Sequence, residues 1–324
     1  MRSNWLQAVA LVALVSVGAG TAAAQPFPSR PVNVIVSTAA GDPGDVIARL
    51  VQPHMADKLG QPWVVEIRPG ASGTIASQAV ARAAPDGHTL LVVLSAHAIN
   101  PLAIPNLPYD TLKDFAGVSL TVRQPLVVAV HPSVKGANLK EFIAGAKAQA
   151  KGSVTFGSPG IGSLSFLLGE EISRRADLGM VHVPFKGGAP VVQALLANEI
   201  QLSALIPAIF RPHILAGRLR GIAVSATARM PDFPDVPTFE ETGIGGSAAY
   251  NWIGVFAPGR TPREIVDRLS REIAAALALP ESRQRLTGVG FEIVGSRPEV
   301  LDQLVASELE RWGKFTREFG VKFQ

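Results

Sequence analysis

Short apolar runs rich in Val, Ile and Leu recur along the chain, bounded by Gly, Pro, Asp or Ser. They predict buried β-strands at Val32–Ser37, Trp63–Ile67, Thr89–Leu94, Leu126–Val130, Val154–Phe156, Val181–Val183, Ile200–Leu205, Ile222–Val224 and Trp252–Phe256. Between several of them the apolar spacing becomes helical. Asp45–Met55 gathers Val46, Ile47, Leu50 and Val51 on one face, and Ser163–Ile172 gathers Leu164, Leu167, Leu168 and Ile172. Val191–Leu196 follows Pro190, a good first-turn residue. Thr261–Glu264 and Ser296–Glu299 read as capping boxes, the second opening a final helix with Leu301, Val305, Leu309 and Trp312 toward a core and Leu304 flanking.

Strands alternating with helices predict an α/β fold with largely parallel sheets. No internal repeat and no low-complexity linker divides the chain, although its length suggests two domains. Two lobes without a composition break imply strands that cross between them, and Leu126–Val130 and Tyr250–Phe256 are the expected crossings. Such a layout places a ligand cleft between the lobes, at the C-terminal ends of open-sheet strands. Trp63, Trp252 and Trp312 each lie in an apolar strand or helix and are expected in the core.

The first residues follow another pattern. Arg2, the apolar stretch Leu6–Val17 and Ala22-Ala23-Ala24 before Gln25 read as a secretory signal over residues 1–24. The apolar run is too short to span a membrane, and Pro26 and Pro28 follow at once. The released protein would run from residue 25 to 324. An exported chain with no Cys, hence no disulfide, suggests the periplasm of a Gram-negative bacterium. The same lack of Cys removes thiolate metal sites and Cys nucleophiles. The net charge of +4 is dispersed without a Lys/Arg block, which argues against nucleic acid. The six His residues lack metal-protease spacing, so neither a metal nor a cofactor is expected.

Candidate chemistry lies in loops entering helices. Ser37–Asp45 has Gly41 and Gly44 ahead of a helix that Asp45 is placed to cap. Gly157-Ser-Pro-Gly-Ile-Gly-Ser163 has the makings of an anion nest: free backbone N–H groups, the Ser158 and Ser163 hydroxyls and a positive helix end. It is neither a Walker loop, a dinucleotide fingerprint nor a nucleophile elbow. Phe185-Lys-Gly-Gly-Ala-Pro190 again sets a Gly pair before a helix, with Lys186 able to face an anion and Phe185 the best-placed aromatic. Ser95, His97 and Asn100 follow a buried strand. His97 invites comparison with a hydrolytic triad, but no Ser has a nucleophile-like turn. A secreted α/β hydrolase is therefore the rival reading.

Taken in order, several segments resemble the Bug, or TctC-like, family of extracytoplasmic solute receptors of tripartite tricarboxylate transport systems. They are Ala84–Leu91, His97–Pro101, Leu107–Asp110, Phe156–Gly162, His182–Pro190, Ala216–Arg220, Pro234–Thr238 and Ala257–Pro262. The resemblance implies a non-enzymatic two-lobe periplasmic binding fold that closes on a small organic carboxylate, for uptake through a membrane permease or for sensing. Lobe one would comprise 25–126 and 252–324, and lobe two 127–251. The cleft would be lined by Ser37, Thr38, Ala39, Gly41 and Asp45, by Ser95 and His97, by Gly157, Ser158, Gly162 and Ser163, and by Lys186, Gly187, Gly188 and Ala189. A monomer is expected. Two departures bear on the ligand. Thr38 and Asp42 stand where the family usually has an aromatic and a Gly, and Leu205 stands where many members carry Asp. Leu205 cannot receive an amino group, so the expected ligand has one carboxylate and a less polar tail.

Overall fold

The computed structural model describes residues 27–244 and 248–323; the expected signal at 1–24 lies outside the described residues. The strands are β1 (Val32–Val36), β2 (Trp63–Ile67), β3 (Thr89–Leu94), β4 (Phe115–Pro125), β5 (Val127–Val130), β6 (Thr155–Ser158), β7 (Val181–Pro184), β8 (Leu202–Leu205), β9 (Arg220–Val224), β10 (Tyr250–Pro258) and β11 (Glu292–Ile293). The helices are α1 (Pro43–Leu59), α2 (Thr74–Ala81), α3 (Ala96–Ala103), α4 (Leu139–Lys147), α5 (Leu164–Arg175), α6 (Gly188–Leu196), α7 (Pro207–Leu215), α8 (Arg263–Ala278), α9 (Pro280–Gly288) and α10 (Pro298–Phe319). They surround two sheets. One is six-stranded, ordered β11-β4-β10-β3-β1-β2; the other is five-stranded, ordered β7-β6-β8-β5-β9. This is the α/β architecture the alternation predicts.

The sheets are mixed rather than largely parallel. β1 pairs in parallel with β2 and β3, and β6 with β7 and β8. β4, β5 and β10 pair antiparallel with their neighbours. The antiparallel part comes from the crossings, because the chain leaves the first sheet along β4 and re-enters it along β10. β4 is the longest strand and was not expected; its Val118, Leu120 and Val122 alternate with Ser119, Thr121 and Arg123. Both polar residues Ser119 and Thr121 are nevertheless fully buried, because helices cover both faces.

The two crossings meet at one residue. β4 ends at Pro125, which pairs with Tyr250 at the start of β10 and has no N–H to extend the ladder. Ser225, 1% exposed, takes over. Its backbone N–H donates to Leu126 O and its carbonyl accepts from Ala249 N, both at 2.9 Å. Its Oγ accepts from Leu126 N at 2.8 Å and donates to Ala249 O. One side chain thus satisfies backbone groups of both crossing segments.

Both late capping boxes are displaced by proline. α8 starts at Arg263 after Pro262, while Thr261 Oγ1 donates to Pro258 O. α10 starts at Pro298, with Arg297 at the cap position and Ser296 Oγ accepting from Leu120 N. α10 then serves both halves of the molecule. Leu301 and Val305 join Trp252 and Phe256 in a first-sheet core. Trp312 and Phe315 join Leu126, Phe166 and Phe239 in a second-sheet core. Between them Glu308 accepts from Trp252 Nε1 at 2.9 Å. Arg311 donates to Ala248 O and pairs with Glu171. Trp63, Trp252 and Trp312 are all buried.

Two outcomes are expected. Ser225→Ala leaves the Leu126 N–H and Ala249 C=O without their side-chain partner, and should lower unfolding free energy by about 2 kcal/mol in a urea titration. Burial pushes the Glu308 carboxyl up to about 7, against the hydrogen bond from Trp252 and the charge of Arg311. The folded protein therefore holds a proton that the unfolded chain gives up near the ordinary glutamate value of 4.5. The stability Glu308 contributes is present below that value and is lost as pH rises to about 7, on the order of 3 kcal/mol. Glu308→Gln should remove this loss, so its melting temperature relative to wild type should be higher at pH 8 than at pH 4.

Candidate binding cleft

The strands β1, β3, β6, β7 and β8 all run into helices at their C-terminal ends, and the connecting turns carry the predicted residues. Between the two sheets lies a cavity of about 270 Å³ lined by Leu94, Ser95, Ala96, Leu126, Pro159, Ser163, Leu164, Ser165, Gly188, Leu205, Ile206, Ile209 and Asn251. Four helices present their first turns here: α3 through Ser95 and Ala96, α5 through Ser163 to Ser165, α6 through Gly188 and α7 through Ile206 and Ile209. Some of their first-turn N–H groups are capped locally, Ala98 N by Ser95 O, Phe166 N by Ser163 Oγ and Ile209 N by Ile206 O, and Pro207 has none; the turns still carry the positive end of each helix dipole. The lining has no charged side chain and is mostly aliphatic. The site therefore favours an anionic head through backbone groups and an apolar body through Leu94, Leu164, Leu205, Ile206 and Ile209.

The Gly157–Ser163 turn is built to point its backbone rather than its hydroxyls at a ligand. Ser163 caps α5, accepting from Phe166 N at 3.2 Å while donating to Gly160 O at 2.7 Å. Ser158 Oγ accepts from Gly160 N and lies 2.8 Å from His182 Nε2. Burial holds His182 down to about 4, so it is neutral at ordinary pH. Gly160 and Gly162 take φ of +146° and +81°, which a side chain would strain. Gly157 is closed from below, since a Cβ there would come within 2.4 Å of Ile200 Cδ1. At α6, Gly187 at φ +103° occupies the cap position and Gly188 faces the cavity.

Ser95, Ser163, Gly188 and Leu205 are thus the predicted residues that line the cavity together. Gly157, Ser158, Gly162 and Gly187 form the turns behind them. Lys186 and Ala189 are exposed and absent from the lining, and Phe185 packs against Gly157 and the second-sheet core. His97 does not face the cavity. It is fully buried, stacked on Tyr109 and edge-on to Phe115, with Nδ1 3.3 Å from Ser77 Oγ and burial holding its pKa down to about 3.

The first loop sits on the neighbouring strand and supplies no lining residue. Ser37, Thr38, Ala39 and Gly41 precede α1, which begins at Pro43 rather than at Asp45. Asp42 takes the cap position, and its Oδ2 accepts from Ala39 N at 3.1 Å. Asp45 is in the first turn, 4% exposed, with its carboxylate accepting from Gly41 N at 2.8 Å and Arg49 Nε at 2.6 Å. Its charge is thereby spent inside the loop. Thr38 Oγ1 is buried against Gly44, where a Cβ would approach it to 2.8 Å.

Asn251 was not anticipated. It is a polar residue in an otherwise apolar crossing strand, and that interruption is the signal that marks it. Ser95 Oγ donates to Asn251 Oδ1 at 2.8 Å. The turn Gly70–Gly73 was also passed over. Ala71 and Ser72 take φ of +46° and +54° between two glycines of positive φ, and Asn100 Nδ2 donates to Ser72 O. This strained turn abuts Ser37 at the same sheet edge.

Residues 47–321 match the family model described as tripartite tricarboxylate transporter family receptor. Protein BugT of Bordetella pertussis is 34% identical over 327 residues, covering 99% of this chain and 100% of that protein. MatC from Rhodopseudomonas palustris with bound malate is 35% identical, with TM-score 0.73, over 88% of this chain and 98% of that one. A second R. palustris structure, with adipate, is 30% identical, with TM-score 0.76, over 91% and 99%.

Substitutions at two positions measure how much these side chains hold the loops. Asp45→Ala should cost about 1–2 kcal/mol by freeing the Gly41 N–H and Arg49, with Asp45→Asn intermediate. Ser163→Ala should cost about 1 kcal/mol as a lost cap. Urea midpoints at unchanged slope measure both.

Proposed function

The chain belongs to the tripartite tricarboxylate transporter receptor family, a family of periplasmic solute-binding proteins, and we propose that it captures a small organic acid by one carboxylate, leaving a mainly apolar tail in the cavity. The observation that carries this is the convergence of four helix first turns on a cavity with no charged lining side chain. An anion gains there from backbone N–H groups without displacing an existing ion pair. An ammonium group would gain nothing. Leu205 occupies the wall, and the Asp45 carboxylate lies outside the lining, bound to Gly41 and Arg49. Acidic amino acids are therefore poor ligands in this reading. The relatives holding malate and adipate support carboxylate capture.

Residues 25–126 and 252–324 act as one lobe and 127–251 as the other, closing about the Ser225 crossing. The change of sheet membership at Leu126 and Tyr250 supports that division. The receptor works as a monomer exported by its 1–24 signal, and its closed form serves uptake through a membrane permease or sensing. Hydrolysis finds no support. Ser158 and His182 are 2.8 Å apart, but Ser158 is fully buried and bound within its own turn. Among the described residues no carboxylate orients His182.

Thermal unfolding against mono- and dicarboxylates, amino acids and aromatic acids tests the reading. A true ligand at about 100 times its dissociation constant adds about 2.7 kcal/mol. Stabilisation by an acid with an apolar body, and none by glutamate or aspartate, is the expected outcome. A clear win for the acidic amino acids, or silence from every carboxylate, overturns it.

A further inference from the structure

We propose that Asn251 determines specificity in this cavity: its side-chain amide, held by Ser95, turns its N–H donors toward a hydrogen-bond acceptor on the ligand's tail. This rests on the carboxylate-receptor reading and narrows the ligand class to acids whose tail carries a carbonyl or second carboxylate oxygen, not a cation or a bare methyl.

Asn251 is half-buried on β10, directly beside the crossing, between Tyr250 and the fully buried Trp252. Asn is disfavoured in strands, and an aliphatic residue would suit this lining better. The amide is not free to present either end. Ser95, 3% exposed, donates to Oδ1 at 2.8 Å, so Nδ2 is the end left to the cavity. Among the described residues Nδ2 has no partner. The other lining hydroxyls are committed, Ser163 to Gly160 and Phe166 and Ser165 to Ala204 O. Asn251 is therefore the side-chain donor that a ligand can still use. It lies on the first-sheet side, while the first turns of α5 and α6 lie on the second-sheet side. A ligand held by its carboxylate at those turns meets Asn251 with another part of its body. Because Asn251 sits at the crossing, that contact joins the ligand to both halves of the molecule.

The test uses straight-chain acids of four to eight carbons in three series, ending in methyl, in a carboxylate methyl ester, or in ammonium, with dissociation constants from calorimetry. In the wild type the ester should bind about fivefold or more tightly than the methyl-ended acid of equal length, and the ammonium series worst. Asn251→Leu keeps bulk, and should erase the ester advantage while leaving the methyl series within about twofold. Asn251→Asp should reverse the preference toward the ammonium series, and carries the test if the Leu variant fails to fold. Ser95→Ala should lower the ester advantage by unlocking the amide. Equal ester and methyl affinities in the wild type, an ester advantage that survives in Asn251→Leu, or a wild-type preference for ammonium each overturn the assignment while leaving the receptor reading intact. Failure of every series to bind overturns the receptor reading, and the assignment falls with it.

Discussion

The molecule depends on the point where two strands leave one sheet for another. An antiparallel ladder between β4 and β10 runs to Pro125 and Tyr250. There proline ends it, and the backbone groups of Leu126 and Ala249 would be buried and unpaired without Ser225. Ser225 satisfies both segments with one hydroxyl and its own peptide groups. This fixes where each crossing occurs, and so which strand ends face each other. β3 on one side and β6 and β8 on the other then send their C-terminal turns into a common space. The cavity follows from the crossing, not from any one loop.

Given that geometry, recognition of an anion needs no cationic side chain. An Arg or Lys in so small a cavity would have to be desolvated when the site is empty. Helix first turns avoid this, because their N–H groups are fixed by the fold and their dipole is already oriented. The hydroxyls and carboxylates nearby shape the turns instead: Ser158 and Ser163 bind Gly160, and Asp45 binds Gly41. The polar residues stiffen the backbone of these turns.

Much of this was legible in the sequence. The Val- and Ile-rich runs located strands β1–β3 and β5–β10, and the Gly-rich turns after β6 and β7 marked two of the helix ends that form the cavity. β4 escaped because Val118, Leu120 and Val122 alternate with Ser119, Thr121 and Arg123 and so form no continuous apolar run like those of the other strands, and the burial of Ser119 and Thr121 is decided by helices packed from elsewhere in the chain. The mixed sheet direction escaped for the same reason, since only the crossings produce it. His97 drew attention by residue type, but an aromatic cage of Tyr109, Phe115 and Phe256 makes it a neutral core residue. Asp45 looked like a cap, but Pro43 starts the helix two residues earlier. Local patterns located the turns. Only tertiary contacts determine which atoms of those turns remain free.

Any movement of one sheet against the other would load α10, which is packed into both cores. Its apolar anchors are separated: Val305 belongs to the first-sheet side and Trp312 to the second. The two turns between them make polar contacts instead, Glu308 to Trp252 and Arg311 to Ala248 and Glu171. Close-packed apolar interfaces resist sliding because side chains interdigitate. Hydrogen bonds from long side chains tolerate small rotations by adjusting torsions. The compliant stretch of the helix therefore lies beside Ala248 and Trp252, next to the same crossing that Ser225 pins. The second-sheet core itself reaches across, since Ile99 and Leu102 of α3 pack in it with Trp312 and Phe166, so rotation about the crossing would have to shear that interface. A Leu or Met at position 308 would leave the buried Trp252 Nε1 without its acceptor.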